Sequence, residues 1–235
     1  MNYLHEQQLD ELAEFDTPTV CNALEKFNLR PKTEGFTSPV IRSIFPGRKP
    51  MVGYACTAKI SAMQPGTKEN EEILYQYYQS LKDCPGRPIS VIEDLDEAST
   101  GSFWGEVQTT VHKALGCMGV ITNGGVRDLD EAYALGFTYF ASSVLVSHAY
   151  IHMEETNTAV EIGGLTVHPG DLLHADKHGC VLIPNEVAHL VADACRQMQD
   201  AEMPVLNGCR ATVDGALDIE KLKIWRSEMA ALRCK

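Results

Sequence analysis

Apolar positions along the chain change their period several times, and each change marks an element. Thr17-Pro18 opens the first clear helix: Thr suits an N-cap, Pro suits the first turn, and Val20, Ala23, Leu24 and Phe27 follow at helical spacing. A loop carrying Pro31, Gly35, Pro39, Pro46, Gly47 and Pro50 leads into a strand-like run over 52–60. Residues 70–81 read as a helix, Cys84-Pro85-Gly86-Arg87-Pro88 breaks it, and 89–92 read as a short buried strand.

The middle of the chain alternates: helix over 105–115, strand over 120–122, helix over 129–135, strand over 138–142. That rhythm with short loops predicts parallel strands in an α/β sheet. After Val160 the pattern becomes strands and turns, with strands over 165–167, 172–175 and 180–183 separated by His168-Pro169-Gly170-Asp171 and Asp176-Lys177-His178-Gly179. Pro184 opens an amphipathic helix with Val187, Leu190, Val191, Ala194, Cys195 and Met198 on one face, which Asn207-Gly208 is expected to end. Ile219, Leu222, Trp225, Met229 and Leu232 then recur at spacings of three and four, a last helix suited to packing on a neighbouring subunit. With no internal repeat and no low-complexity linker, the expected organisation is an α/β domain over 1–206 and a C-terminal helical arm over 207–235.

Composition narrows the function classes. The 235 residues are 44% hydrophobic and 22% charged, ordinary for a globular protein able to bury a sizeable core. No apolar run reaches the roughly 18 residues of a membrane span, and residues 1–6 lack the basic and apolar regions of a secretory signal. A net charge of −12 argues against a broad nucleic-acid surface, which needs a basic face, but suits docking onto a basic protein segment. Cys21, Cys56, Cys84, Cys117, Cys180, Cys195, Cys209 and Cys234 are scattered without any C-x-x-C, and several lie in apolar runs. Reduced thiols in a cytoplasmic protein are expected, not a disulfide framework or a zinc finger.

Chemistry concentrates in two segments. In 120–128 a buried strand runs into Gly124-Gly125 and then sets Arg127 beside Asp128 at a helix start. Such a loop lies beyond the carboxyl end of a strand, where α/β sheets bind ligands. An Arg there can hold a carboxylate bidentately while the Asp anchors a hard cation. Asp128 as a helix cap and Arg127 as a solvated charge fit the spacing equally well. Upstream, Ser102-Phe103-Trp104-Gly105-Glu106-Val107-Gln108 offers a strand end, a Gly and a helix start, which aim backbone N–H groups at an anion. Glu106 also suits that position through the helix dipole alone, and Trp104 reads as a packing residue.

Gly105-Glu106, then 20 residues, then Arg127-Asp128 resembles the signature of the RraA-like family, which includes 4-hydroxy-4-methyl-2-oxoglutarate / 4-carboxy-4-hydroxy-2-oxoadipate aldolases. The stretches 17–24, 116–121, 164–171, 175–176 and 179–184 are similar to further family segments, so the likeness runs from about residue 9 to 205. The resemblance implies a swivelling β/β/α domain assembled as a homotrimer or a dimer of trimers, with sites between subunits. It implies that the backbone at Gly105, Glu106, Val107 and Gln108 contacts a substrate carboxylate, and that Arg127 binds the pyruvate-like carboxylate and oxygen. Asp128 would be the direct protein ligand of Mg²⁺ or Mn²⁺, with Glu106 reaching the ion through water. Glu202 is the candidate for a glutamate supplied by a neighbouring subunit. Asn123 stands where many members carry Asp, as does Asn22.

The implied activity is a carbon–carbon lyase that releases pyruvate from a 4-hydroxy-2-oxo acid and decarboxylates oxaloacetate as a side reaction. Both reactions develop negative charge on the former keto oxygen, which a divalent cation and Arg127 would stabilise. Neither motif contains a Lys for a Schiff base. Two rivals stand beside this reading. His148/His152 and His174/His178 have the i, i+4 spacing of a helical zinc chelate, pointing to a zinc hydrolase. An acidic chain of this family could instead be a protein-binding regulator, since RraA itself inhibits a ribonuclease and fold does not fix function.

Overall fold

The computed structural model of the protein describes residues 3–233; Met1, Asn2, Cys234 and Lys235 lie outside the described residues. In chain order the helices are α1 (Glu6–Leu12), α2 (Thr17–Leu24), α3 (Lys68–Asp83), α4 (Glu106–Ala114), α5 (Leu129–Ala134), α6 (Ala188–Arg210) and α7 (Ile219–Arg233). The strands are β1 (Arg42–Ser43), β2 (Met51–Ser61), β3 (Pro88–Asp94), β4 (Gly119–Thr122), β5 (Gly125–Val126), β6 (Thr138–Ala141) and β7 (Ser143–Val144). They continue with β8 (His152–Thr156), β9 (Val160–Ile162), β10 (Leu165–Val167), β11 (Leu172–Asp176) and β12 (Gly179–Ile183).

The main sheet runs β1-β6-β4-β3-β2-β11-β12, and β8 also pairs with β2. The helix-connected strands β2, β3, β4 and β6 pair in parallel, as the alternation of helix and strand requires. On the other side β2, β11 and β12 pair antiparallel, joined by a tight turn at Asp176–Gly179. The long strand β2 is thus shared by a parallel and an antiparallel half. Apolar burial follows the same division. Helices α1, α2 and α6 pack Leu9, Leu12, Val20, Val191 and Cys195 against Val52, Tyr54, Val181 and Ile183 of the antiparallel half. Helices α3 and α5 and the segment before α4 pack Tyr77, Leu81, Ala132 and Trp104 against Ile60, Ile92, Val120 and Tyr139. The opposite face, with Ile89, Val91, Ile121 and Phe140, is covered by the β9–β10 hairpin through Ile162, Leu165 and Val167.

Several boundaries differ from the sequence pattern for physical reasons. The cap of α2 is Asp16, whose carboxylate accepts the Thr19 N–H at 2.8 Å, leaving Thr17 inside the helix. Helix α6 starts four residues after Pro184 and runs through Pro204, Asn207 and Gly208 to Arg210. Gly208 does not end it because its task is packing: a Cβ there would lie 2.6 Å from the Trp225 ring, so glycine lets α7 close on α6. The tail helix therefore packs within its own chain, and the expected 206/207 boundary falls inside α6. No helix among the described residues is long and apolar enough to cross a membrane. The cysteines of the described residues are free thiols; Cys234 lies outside them.

Candidate active site

The site begins where β4 ends. Thr122 Oγ1 accepts the Gly124 N–H at 3.0 Å, which turns the chain tightly after the strand. The Asn123 amide bridges to the end of β3, accepting from Asp94 N at 2.7 Å and donating to Asp94 O at 2.9 Å. Thus Asn123 joins two strand ends, a neutral task for which the two faces of an amide are suited. A Cβ on Gly124 would lie 3.0 Å from Asp94 Oδ2, so the close approach of these strand ends requires glycine.

The two sequence segments meet through β5. Arg127 N donates to Trp104 O at 3.2 Å, and Ser102 Oγ lies 2.7 Å from Trp104 O and 2.8 Å from Gly125 O. Trp104 is fully buried against Phe103, Phe137, Tyr139 and His112, the packing role its sequence context predicts. This clamp sets Gly105 directly against the Arg-Asp pair. A Cβ on Gly105 would lie 2.7 Å from Asp128 Oδ2 and 3.1 Å from Arg127 Nε. The backbone of Gly105 is extended, so contact with those side chains, not conformation, calls for glycine.

Asp128 occupies the left-handed region, with φ 54° and ψ 54°, a conformation that costs about 1–3 kcal/mol outside glycine. Although it stands at the N-cap of α5, its side chain makes no capping bond there. Instead Asp128 Oδ2 accepts the Glu106 N–H at 2.8 Å, across 22 positions of sequence. The capping alternative is therefore replaced by a cross-link between the two segments. Beyond Glu106, the N–H groups of Val107 and Gln108 have no protein acceptor among the described residues. Arg127 Nε is buried without a partner. A cavity of about 200 Å³ collects these groups, lined by Gly105, Val107, Gln108, Arg127 and Asp128 with Ser102, Phe103, His148 and Ile151. Two free amides and a guanidinium suit a carboxylate. The outer oxygen of Asp128 and the exposed Glu106 supply hard oxygen donors, which suit Mg²⁺ or Mn²⁺. Among the described residues no three His, Cys, Asp or Glu are poised as a chelate, so a cation held here keeps several waters, as Mg²⁺ commonly does.

Helix α4 is anchored from below. Thr109 Oγ1 and Tyr139 Oη lie 2.6 Å apart, and burial pushes the Tyr139 phenol up to about 12, so it stays neutral. His112 Nδ1 lies 2.7 Å from Gln108 O, and burial pushes its imidazole down to about 4. The Gln108 side chain accepts from Tyr78 Oη of α3 at 2.7 Å.

The remaining candidates are dispersed. His148 lines the cavity from the loop before β8, and His152 opens that strand with Nε2 2.7 Å from Glu154 Oε1. His174 on β11 is buried with one nitrogen 2.9 Å from Thr17 Oγ1 and the other 3.2 Å from Leu12 O, while His178 meets Asp176. Neither histidine pair lies on a helix, so the i, i+4 spacing forms no chelate. Arg87, from the segment that breaks the chain after α3, is no part of this set and ties down α1 through Glu6 and Asp10. Glu202 on α6 is paired with Arg233 of α7 at 2.6 Å. Sequence reasoning gave no role to Ser102, Tyr78 or Ile151; the Tyr78–Gln108 bond between α3 and α4 and the packing of α3 on β8, just after Ile151, bring the last two to the site.

The family model described as RraA-like, Aldolase/RraA, matches residues 17–182. An uncharacterized protein of Methanocaldococcus jannaschii is 27% identical over 78% of this chain and 86% of its own. A Halalkalibacterium halodurans protein named "Putative 4-hydroxy-4-methyl-2-oxoglutarate aldolase" is 25% identical over 63% of this chain and 67% of its own. The crystal structure of an uncharacterized Pseudomonas syringae protein superposes with a TM-score of 0.72 at 22% identity, covering 95% of each chain. That likeness extends the shared fold through the C-terminal helices.

Proposed function

The chain belongs to the RraA-like family, and we propose that it is a divalent-metal-dependent lyase releasing pyruvate from a 4-hydroxy-2-oxo acid. The observation that carries this reading is the convergence of Arg127, Asp128 and the free amides of Val107 and Gln108 on one small cavity. In this reading the amides and Arg127 bind the 2-oxo-carboxylate end, the planar guanidinium fixing its orientation. Asp128 and Glu106 would hold Mg²⁺ or Mn²⁺, which when bound supplies Lewis acidity at the keto oxygen. Breaking the C3–C4 bond moves its electron pair into the enolate of pyruvate, and Arg127 faces the oxygen where that charge gathers. The proton of the 4-hydroxyl would pass to a water that the exposed Glu106 can hold beside the cavity, and the enolate is then protonated at C3. Among the described residues no Lys lines the cavity, so in this reading the chemistry proceeds without a Schiff base. Oxaloacetate decarboxylation leaves the same enolate and needs only the same groups.

Assembly belongs to the same proposal. Val107, Val144, Val146 and Tyr150 are exposed on the segments that wall the cavity, with Val146 97% exposed. Covering them with a second copy, in a homotrimer or dimer of trimers, removes apolar surface from water next to the site. To serve a neighbour's cavity, Glu202 must first part from Arg233.

The test is a coupled pyruvate-release assay over a panel of 2-oxo acids, with Mg²⁺, Mn²⁺ and chelator. Release that chelation stops and either metal restores is expected. No pyruvate from any of them, oxaloacetate included, overturns the reading. Light scattering should give a mass that is a multiple of three chains; a stable, active monomer contradicts the assembly.

A further inference from the structure

Beyond the site cavity lies a second one of about 240 Å³. The two share Phe103, Gln108 and Ile151 as lining residues, so a molecule held at Arg127 can extend from one into the other. Leu74 of α3 and Met153 of β8 complete an apolar wall with Phe103 and Ile151. The polar groups of this cavity are mostly occupied by each other. Thr67 and Asn70 form the cap of α3, and Asn70 Nδ2 donates to Met153 O at 2.8 Å. The ring nitrogens of His152 lie 2.8 Å from Tyr150 O and 2.7 Å from Glu154 Oε1. Gln108, which lines both cavities, accepts from Tyr78 through Oε1, and its NH₂ group has no acceptor among the described residues. Among the described residues the single carboxylate of the lining is that of the exposed Glu71, and neither Lys nor Arg contributes. The positive end of α3 does point here, but Glu69 and Glu71 in its first turn offset it.

We propose that this second cavity receives the distal end of the substrate, and that this end is an uncharged alkyl or aryl group on C4, not a second carboxylate. The inference rests on the lyase reading of the adjoining site. A carboxylate buried against Leu74, Phe103, Ile151 and Met153 would lose its hydration without gaining a cation, and Glu71 would repel it. An apolar group gains from leaving water against that wall, and the Gln108 amide can still hydrogen-bond a hydroxyl or carbonyl on the chain.

Two measurements on the full chain with Mg²⁺ separate the inference from its premise. Exchange of the pyruvate methyl hydrogens for solvent deuterium reports the enolate end alone. Cleavage of 4-hydroxy-2-oxohexanoate against 4-hydroxy-2-oxoglutarate reports the distal end. Exchange, together with a kcat/KM at least about tenfold higher for the alkyl substrate, is expected, the discrimination typical of one or two methylenes in an apolar pocket. Exchange with equal or better cleavage of the dicarboxylate overturns the inference and leaves the lyase reading standing. No exchange and no cleavage overturns the lyase reading, and the inference with it. In Leu74→Arg, a cation set in the wall should move the preference about tenfold toward the dicarboxylate. An unmoved ratio in a variant with wild-type circular dichroism counts against the assigned subsite, and Leu74→Trp, which fills the same space, should lower the alkyl preference instead.

Discussion

The two halves of the sheet treat their buried polar groups differently. In the antiparallel half they are matched: His174 meets Thr17 and Leu12, and Asp176 accepts from the Thr17 and His178 amides. Those bonds hold the carboxylate of Asp176 below its usual range despite burial. In the parallel half Trp104 Nε1, His112 Nε2 and Arg127 Nε are buried without a partner among the described residues. Each such atom costs about 1–3 kcal/mol in desolvation. Arg127 is the informative one, because its guanidinium also lines the site cavity. The antiparallel half matches these groups, while in the parallel half one residue with an unmatched atom, Arg127, lines the cavity where chemistry is proposed. Substitutions in the two halves should therefore separate activity from stability.

The largest expected effect is on activity in the parallel half. Asp128→Asn keeps an oxygen for the Glu106 N–H but loses the charge, so metal-dependent pyruvate release should fall about 10²–10³-fold. Its thermal midpoint should stay close to wild type, since the left-handed backbone at 128 accepts Asn as readily as Asp. Arg127→Lys should be comparably impaired, because a point charge cannot replace a planar fork. Near-wild-type turnover in either variant removes that residue from the machinery.

The reciprocal change is His174→Ala in the antiparallel half. It leaves Thr17 and the Leu12 carbonyl buried without their partner and opens a cavity, at a cost of about 3 kcal/mol. For a chain of this size that lowers the melting temperature by roughly 10 °C. Turnover by the folded fraction at 25 °C should be unchanged; calorimetry and the pyruvate assay on one sample decide both. A smaller effect is expected at the contact between the two segments. Gly105→Ala suits the extended backbone but sets a methyl 2.7 Å from Asp128 Oδ2 and 3.1 Å from Arg127 Nε. Displacing both by tenths of an ångström should cut kcat/KM about tenfold with little change in melting.

What could be read from the sequence follows how local each signal is. Arg127-Asp128 was legible because it follows the end of β4 in a parallel sheet, where βα turns open on the ligand edge. Its pairing with Gly105-Glu106 came from the family resemblance, since β3 ends at Asp94, well before Gly105. That the carboxylate of Asp128 bonds the Glu106 amide was not legible, since it depends on a left-handed φ that an Asp before a helix does not advertise. Gly208 misled because glycine carries two meanings, helix end and close packing, and only Trp225 on a later helix decides between them. Helix α1 offers just Leu9 and Leu12 as buried positions in seven residues, too few to show a period. The second cavity needs α3, β8 and α4 together, a long-range juxtaposition that no window of sequence contains.

The change expected to matter least at neutral pH sharpens the comparison from the side of the unmatched atoms. His112 sits among Tyr77, Tyr78, Phe103, Trp104 and Phe137, and burial holds its imidazole neutral down to about 4. In the unfolded chain the same ring protonates near pH 6.5. Between those values the unfolded state binds the extra proton, so stability contributed by the neutral ring is present above pH 6.5 and is lost as pH falls toward 4. At about 1.4 kcal/mol per pH unit, the wild type should lose roughly 2 kcal/mol through this group between pH 6.5 and pH 5. His112→Phe fits an aromatic surround, removes the unpaired Nε2 and gives up the bond to Gln108 O, so at pH 7 its stability should lie within about 1 kcal/mol of wild type. At pH 5 the variant should be the more stable of the two. His174, whose imidazole burial also pushes down, stays in both proteins, so a shallower acid slope remains in the variant. Denaturant titrations at pH 7, 6 and 5 measure the difference. Parallel pH dependences for the two proteins would mean that His112 exchanges protons with water in the folded state, and that the aromatic box around α4 is open rather than sealed.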